Sequence, residues 1–561
     1  MTGRLREGSD SAPITQVAAG RKATGRDLLG YLAGVLAVLV CTFSLTGQFV
    51  LDDRLVLVDH PIFRDKLPIW QLFVLDQWGQ PLSGQVTTYR PIMPLFWWPF
   101  WHFFPNNPFV FRLLTLFLHL AATLTVIKLG RIYVKDRLIV GFAAVLFAVL
   151  AVHSEAIGSI AHQNEILSFL FCTWALYFID RKKAGLVPLL FLILAVLIKE
   201  SAIIFYPAII LLFLARREIG HRIFTVAAIL IIAGIMIWVQ LSLDRAPFLI
   251  GNMDNLSYDA HGGERLLHGL YSIGRSFSLM LIPQGLAPFH GYAGMDLSTQ
   301  TLLPFAMLGG SVLLAGSVVL LWGLRQRQPA LVLGISILIG PLLLQSNLFI
   351  RTFAELSERW LYTPSLAVCF ILSTILVNFH RRLKEKRLDW LGIICLAAII
   401  VMHLFISWKV LPAWRKNDAL MAFAVQQEPA AYQSRYFHAK YLLQKDQTYE
   451  GLWYATTSAM IKKEYFRTSG RSGKKKFSVL SGLDKMPVKQ RFRMAPAAIE
   501  PQRACGYVID SIVETAKLQP TPPPEILNML AGLYASQGYG GCFTNQQQPS
   551  PSVPFQRDPG D

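Results

Sequence analysis

The sequence predicts an all-α polytopic membrane protein. It has about eleven transmembrane helices, a long first outer loop and a small helical C-terminal domain. Three observations lead there. Of 561 residues, 53% are hydrophobic and only 16% charged, against about 25% charged in an average soluble domain. The apolar residues come in runs near the length of about 20 residues that a helix needs to cross a bilayer. The basic residues gather between alternate runs, although the net charge is +18. With a mean hydropathy of +0.42, disorder, collagen-like repeats and an ordinary cytosolic enzyme are excluded.

The runs are 27–51, 109–130, 138–154, 163–180, 185–199, 200–215, 222–243, 302–322, 329–349, 360–379 and 389–411. Segment 262–283 is less apolar and carries Arg265, His268 and Arg275, so it reads as interfacial or re-entrant, with a twelfth span as the alternative. The N-terminal tail and alternate connections hold 22 Lys and Arg residues, which all fall on one side of an eleven-span chain. That side is cytoplasmic by the positive-inside rule. The N-terminus is then inside and the C-terminus outside. No small-residue cleavage site follows the first run, so it reads as a retained span. Charge placed by topology weakens a nucleic-acid reading of the basic excess.

The domains follow. Residues 1–26 form a cytoplasmic tail and 27–412 the transmembrane domain, with 52–108 as its first outer loop. Residues 413–540 form an extracytoplasmic helical domain, and 541–561 a disordered tail. The cluster Arg471, Lys474, Lys475 and Lys476 reads as a solvated loop or as a site for an anionic headgroup or glycan. Cys41, Cys172, Cys369 and Cys395 lie in spans as packing residues, and Cys505 with Cys542 is a disulfide candidate outside. No Cys/His spacing suggests zinc.

Polar residues break the apolar pattern on the outer side. Asp52 and Asp53 adjoin the first span, where paired carboxylates repel each other and are costly to desolvate. They read as acids facing water, a general base or a metal ligand. His153, Ser154, Glu155, His162, Gln163, Asn164 and Glu165 crowd the turn between the third and fourth spans. Lys199 and Glu200 interrupt a continuous apolar stretch, where the Lys is a solvated turn residue or is poised for a lipid phosphate. Arg351 and Arg359 precede the tenth span, on the side where a guanidinium could take phosphate oxygens bidentately. No line of charge crosses the bilayer centre, which argues against an ion pump or proton-coupled transporter. P-loop, Rossmann and nucleophile-elbow patterns are absent from the sequence. Every cytoplasmic connection is short, so an activated donor must arrive membrane-borne.

These motifs resemble a known set. Val50-Leu51-Asp52-Asp53, Trp78-Gly79, Tyr89-Arg90-Pro91, His119, Leu146-Phe147-Ala148, Val152-His153-Ser154-Glu155-Ala156 and Glu165-Ile166-Leu167 occur in that order. Lys199-Glu200 and Glu358-Arg359-Trp360-Leu361-Tyr362-Thr363-Pro364-Ser365 follow. Order and spacing over about 49–380 are similar to the transmembrane and tetratricopeptide-repeat (TMTC-type) O-mannosyltransferases, in the GT-C glycosyltransferase class. Beyond the spans, 414–460 reads as one degenerate 34-residue-type helical unit, and 524–538 as a second weak one. A solenoid needs about three repeats, so this remnant is expected to lean on the membrane part.

The resemblance implies a GT-C-type bundle and a chemistry. A sugar, mannose-like, passes from a polyprenyl-phosphate carrier to an acceptor hydroxyl on the non-cytoplasmic face, with inversion. The acceptor is protein Ser/Thr or a glycan. Asp52 or Asp53 is the base. Lys199, Arg359 and Arg90 hold the departing phosphate, and His153 and Glu155 shape the sugar pocket. Glu165, Glu200, Glu358, Tyr362 and the phosphate-facing Arg351 complete the substrate-binding set. The lipid bilayer is the other partner. The resemblance requires no metal and no cofactor.

Departures are local. Arg112 stands where the family has His, Thr115 where it has Asn, and His162-Gln163 where it has Gly-Arg. The usual acid after Pro283-Gln284-Gly285-Leu286 is replaced near His290. Three other readings remain: an oligosaccharide ligase or polymerase, a flippase or transporter for a lipid-linked sugar, and a scaffold without catalysis. The short repeat region favours a bacterial inner membrane over the endoplasmic reticulum.

Overall fold

A computed structural model describes residues 25–82, 88–181, 186–243, 255, 260–290, 299–352, 354–468, 479–499, 504–516 and 524–539. Among these the chain is helical, and its extended pairing is an isolated bridge between Leu75 and Pro81. The longer helices of the apolar part are α1 (Gly25–Thr42), α2 (Ile92–Phe103), α3 (Pro108–Tyr133), α4 (Arg137–Val149) and α5 (Gln163–Asp180). Next come α6 (Leu186–Ile198), α7 (Phe205–Arg216), α8 (Ile223–Leu243), α9 (Gly262–Leu281) and α10 (Thr299–Arg325). α11 (Pro329–Gln345), α12 (Ser365–Glu385) and α13 (Asp389–Val410) close this part.

Each predicted run coincides with one of these helices, yet they are not equally suited to span. Among the described residues five are long and apolar enough to cross a membrane. They become six if α4 and the short helix Ser154–Gly158 beyond its 46° bend count as one. The chain is thus an all-α, multi-pass membrane protein. The shortfall from eleven has a physical cause. Leu28–Thr42, Leu186–Ile198 and Pro329–Gln345 are apolar but short, and α5 begins with Gln163, Asn164 and Glu165. α7 is shorter still, at 12 residues.

Local chemistry sets the helix ends. Pro108 and Pro329 occupy first-turn positions, where a missing N–H costs nothing. Asn107 and Asp136 cap α3 and α4 through side-chain oxygens that accept from Phe109 N and Leu138 N. Arg217, Arg327 and Arg387 stop α7, α10 and α12 in the left-handed conformation (φ 56°, 56° and 58°), a position that usually takes Gly. α3 lies inside the bundle, 56% buried over its most apolar stretch, whereas the α8 span is 11% buried and turns its apolar surface outward. Cys41, Cys172 and Cys369 are buried, while Cys395 is exposed on α13.

α9 and α10 touch backbone to backbone. A Cβ on Gly274 would lie 1.9 Å from the Phe305 carbonyl, and one on Gly309 1.9 Å from that of Leu270. Small residues permit such approach where lipid supplies no hydrophobic drive. α9, within the segment 262–283, is a 20-residue helix packed closely on its neighbour.

The C-terminal region continues with α14 (Asn417–Gln427), α15 (Tyr432–Leu443) and α16 (Thr448–Thr468), each packed on the next. α17 (Val488–Ile499), α18 (Ala504–Ala516) and α19 (Pro524–Tyr534) follow. Buried Arg435 is satisfied by Asp484 at 2.6 Å, which also accepts the Trp453 indole N–H at 2.7 Å. Trp453, Phe492 and Tyr534 share one apolar cluster with Tyr271, Leu302 and Ala306 of α9 and α10, so these helices lean on the membrane part. The side chain of Cys505, all of Cys542, the basic run 471–476, the tail 541–561 and residues 1–24 lie outside the described residues.

Candidate functional site

The break after α1 divides the acidic pair. Leu51 sits at φ 46°, a left-handed conformation that costs about 1 kcal/mol or more in a residue with a Cβ. Its N–H donates to Asn417 Oδ1 at 2.8 Å. The next two side chains then diverge. Asp53 is fully buried. Its carboxylate accepts from Ser159 Oγ and Ala161 N, both at 2.8 Å, and from Val50 N at 3.1 Å. Burial raises its pKa against the opposing pull of Arg112 and these bonds. Asp52 keeps 41% of its side chain open and meets His162 Nε2 at 3.8 Å. Burial pushes the Asp52 carboxyl up, but His162, Arg359 and Arg90 outweigh it and hold it below the usual carboxylate range.

Three ion pairs share this neighbourhood. Arg90 grips Glu200 through two bonds, 2.7 and 2.5 Å, and also donates to Gln77 Oε1. Lys199 Nζ lies 2.5 Å from Glu165 Oε1, both side chains nearly buried. The Arg359 guanidinium binds Glu155 Oε1, its backbone N–H donates to Glu155 Oε2 at 2.9 Å, and Ser357 Oγ joins at 3.2 Å. Arg90 and Arg359 are both close enough for their charge to act on Lys199. Desolvated pairs of this kind gain little net stability. Their cations are nevertheless concentrated beside an open carboxylate.

Helix ends supply all these groups. Asp52 follows α1, and Arg90 precedes α2. Glu155 lies on the short helix after the bend of α4, while His162 and Glu165 open α5. Lys199 and Glu200 occupy the break after α6, and Arg359 the turn Glu358–Leu361 before α12. The first outer loop holds its shape through Asp76, whose Oδ1 accepts from Trp78 N at 2.9 Å and Gln80 N at 2.8 Å. Gly79 is at φ 80°, and a Cβ there would meet Pro61 Cδ at 2.2 Å.

Other predicted residues sit apart. Glu358 accepts from Ala287 N at 2.6 Å and pairs with His290 Nε2 at 2.8 Å, while His290 Nδ1 lies 3.9 Å from Glu428 of the C-terminal region. His153 and Tyr362 belong to a packed layer, ring centres 4.4 Å apart, with Phe147 and Phe169. His153 Nε2 meets Ser365 Oγ, and Tyr362 Oη meets His119 Nδ1, each at 2.9 Å. Arg351 is exposed on the loop before the Glu358 turn.

Two departures from the family pattern gain a physical account. Arg112 donates to the carbonyls of Gly158, Gln48 and Trp414, tying three segments together beneath the acidic pair. Gln163 is fully buried, accepts from Trp97 Nε1 and donates to Thr115 Oγ1 and the Phe111 carbonyl. Its side chain is taken up by these core partners. His162, its neighbour, is the side chain that enters the charged cluster. Among the described residues no group of three His, Cys, Asp or Glu side chains is placed to hold a metal ion.

No family model and no solved structure matches the chain. Curated sequences do. Protein O-mannosyl-transferase F38B6.6 of Caenorhabditis elegans is 27% identical over 376 residues, covering 65% of this chain and 53% of the relative. Human protein O-mannosyl-transferase TMTC1 is 22% identical over 527 residues, covering 81% and 57%. Mouse TMTC3 is 23% identical over 415 residues, covering 66% and 44%. The chain is similar to the TMTC-type protein O-mannosyl-transferases. It spans about half the length of the TMTC-type relatives it matches.

Proposed function

We propose that the chain is a glycosyltransferase of the GT-C type. In this reading the eleven predicted runs form its membrane part, with the N-terminus in the cytoplasm. The C-terminal helices, degenerate TPR-like units, lie outside. It moves a mannose-like sugar from polyprenyl phosphate to an acceptor hydroxyl, protein Ser/Thr or glycan, on the non-cytoplasmic face. The TMTC-type relatives, named as protein O-mannosyl-transferases, support the reaction class.

The observation that carries the reading is the contrast within the acidic pair. Asp52 is open and held ionised among cations, as a general base must be. Asp53 is spent on three internal hydrogen bonds. Asp52 takes the proton of the acceptor hydroxyl as its oxygen attacks the anomeric carbon. The bond from that carbon to the phosphate oxygen breaks, and the configuration inverts. Charge collects on the lipid phosphate, where Lys199, Arg90 and Arg359 oppose it; preorganised cations stabilise such charge without reorganising. Glu165, Glu200 and Glu155 hold those cations in place until the phosphate arrives.

The test is direct. Purified protein in nanodiscs, given polyprenyl-phosphate mannose and a Ser/Thr peptide, should release polyprenyl phosphate in step with mannosyl peptide. Asp52→Asn should lower turnover by about 10²-fold or more while the donor still binds. Undiminished turnover in that variant would remove Asp52 from the role. Transport of the lipid-linked sugar without transfer would favour the flippase reading.

A further inference from the structure

The cluster around Asp52 has unequal charges. Four carboxylates meet there: Asp52, Glu155, Glu165 and Glu200. Three permanent cations answer them. Glu155 has Arg359, Glu165 has Lys199 and Glu200 has Arg90. The close charged contact of Asp52 is with an imidazole, while Arg359 and Arg90 act on it from farther off. His162 presents Nε2 to Asp52 Oδ2 and Nδ1 to Glu155 Oε1, each at 3.8 Å, with 9% of its side chain exposed. From the C-terminal junction the ring of Trp414 stands edge to face against it, centroids 6.5 Å apart.

We propose that His162 is the positioning and proton-accepting partner of Asp52, the switchable fourth cation of the cluster. The inference rests on the transferase reading above. Asp52 takes the acceptor proton as the new C–O bond forms and the C–O(phosphate) bond breaks. That proton then passes to His162 Nε2, the imidazole becomes imidazolium, and Asp52 is ionised again. The cation appears once the leaving phosphate has gained its negative charge. The groups that face the imidazole are Asp52 from the first outer loop and Glu155 from the short helix, with Arg359 bound behind Glu155 and Arg90 near Asp52. One carboxylate lies at each ring nitrogen, and the Trp414 ring stands edge to face against the imidazole.

The experiment measures donor turnover against pH for full-length wild type, His162→Gln and His162→Gly in nanodiscs with polyprenyl-phosphate mannose. Wild-type kcat should carry a one-proton acidic limb. His162→Gln should lower kcat roughly 10²-fold, leave the donor KM unchanged and erase that limb. Added imidazole should restore part of the loss in His162→Gly. A His162→Gln enzyme within threefold of wild type, or one with the same limb, would overturn the proposal. Loss of donor binding in both variants without rescue by imidazole would make His162 a structural residue and overturn it too. Absent wild-type turnover would instead overturn the transferase reading, and this inference with it.

Discussion

The ring of Trp414 stands 6.5 Å from that of His162, edge to face. Trp414 also lends its carbonyl to Arg112 at 2.9 Å and packs against Gly158, where a Cβ would come 2.4 Å from its Cγ. The segment leading into the C-terminal helices is therefore part of the wall of the charged cluster. Gly158→Ala would push Trp414 away without altering any charged group. The expected result is a loss of about 1–3 kcal/mol in stability, read by thermal unfolding, together with lower turnover and altered tryptophan fluorescence. Unchanged unfolding and turnover would show that this contact is not needed.

The acidic pair should separate by phenotype. Asp52→Asn changes an open side chain and should unfold only slightly below the wild-type temperature while losing turnover. Asp53→Asn places an amide against Ser159 Oγ, Ala161 N and Val50 N, three groups that donate to Asp53. An amide cannot accept from all of them at both of its atoms. That variant should lose about 1–3 kcal/mol of stability, visible as a lower unfolding temperature and poorer yield.

Lys199 and Glu165 offer a test that divides stability from function. Removing one member of a buried pair leaves an uncompensated charge and costs about 3–5 kcal/mol. Lys199→Met and Glu165→Met should each be destabilised by that order. The double variant should regain most of the loss, because apolar replacements of similar volume are tolerated. It should remain inactive with polyprenyl-phosphate donors, since the ammonium is gone. Thermal unfolding and turnover on the same preparations decide the matter.

The Asp52 carboxyl is held below its ordinary value of 3.8. A depressed carboxylate stabilises the fold above its unfolded pKa and loses that contribution as pH falls through the lower folded value. The unfolding temperature of wild type should therefore exceed that of Asp52→Asn by a small, constant margin above about pH 4. The margin should close as pH falls further. A margin that grew on acidification would contradict the assignment of this carboxylate as the ionised one.

How much of this was legible in the sequence depends on which interactions were local. Helix positions were, because apolar runs and their basic flanks are contiguous; α3, α12 and α13 fall where the runs at 109–130, 360–379 and 389–411 predict. The gathering of Asp52, Arg90, Glu155, Glu165, Lys199, Glu200 and Arg359 could be anticipated only as polar interruptions on one side. Which acid is open was not legible, since it turns on the left-handed Leu51 and its bond to Asn417, 366 residues away. His162 escaped the predicted set because it stands between apolar walls among several polar neighbours, and only geometry shows that Gln163 faces the core instead. His153 and Tyr362 were singled out by motif, and their contact with the Phe147 ring is a long-range feature that sequence spacing does not display. Glu358 reads as an acid beside Arg359, but the turn it begins directs it toward His290.

The measurement closest to the central claim is a structure of the protein with a polyprenyl-phosphate sugar bound. The account predicts the phosphate within hydrogen-bonding reach of Lys199, Arg359 or Arg90, the anomeric carbon beside Asp52, and Asp53 still bonded to Ser159 and Ala161. A donor phosphate seated away from those three cations, or a sugar approached from a side that Asp52 cannot reach, would contradict it.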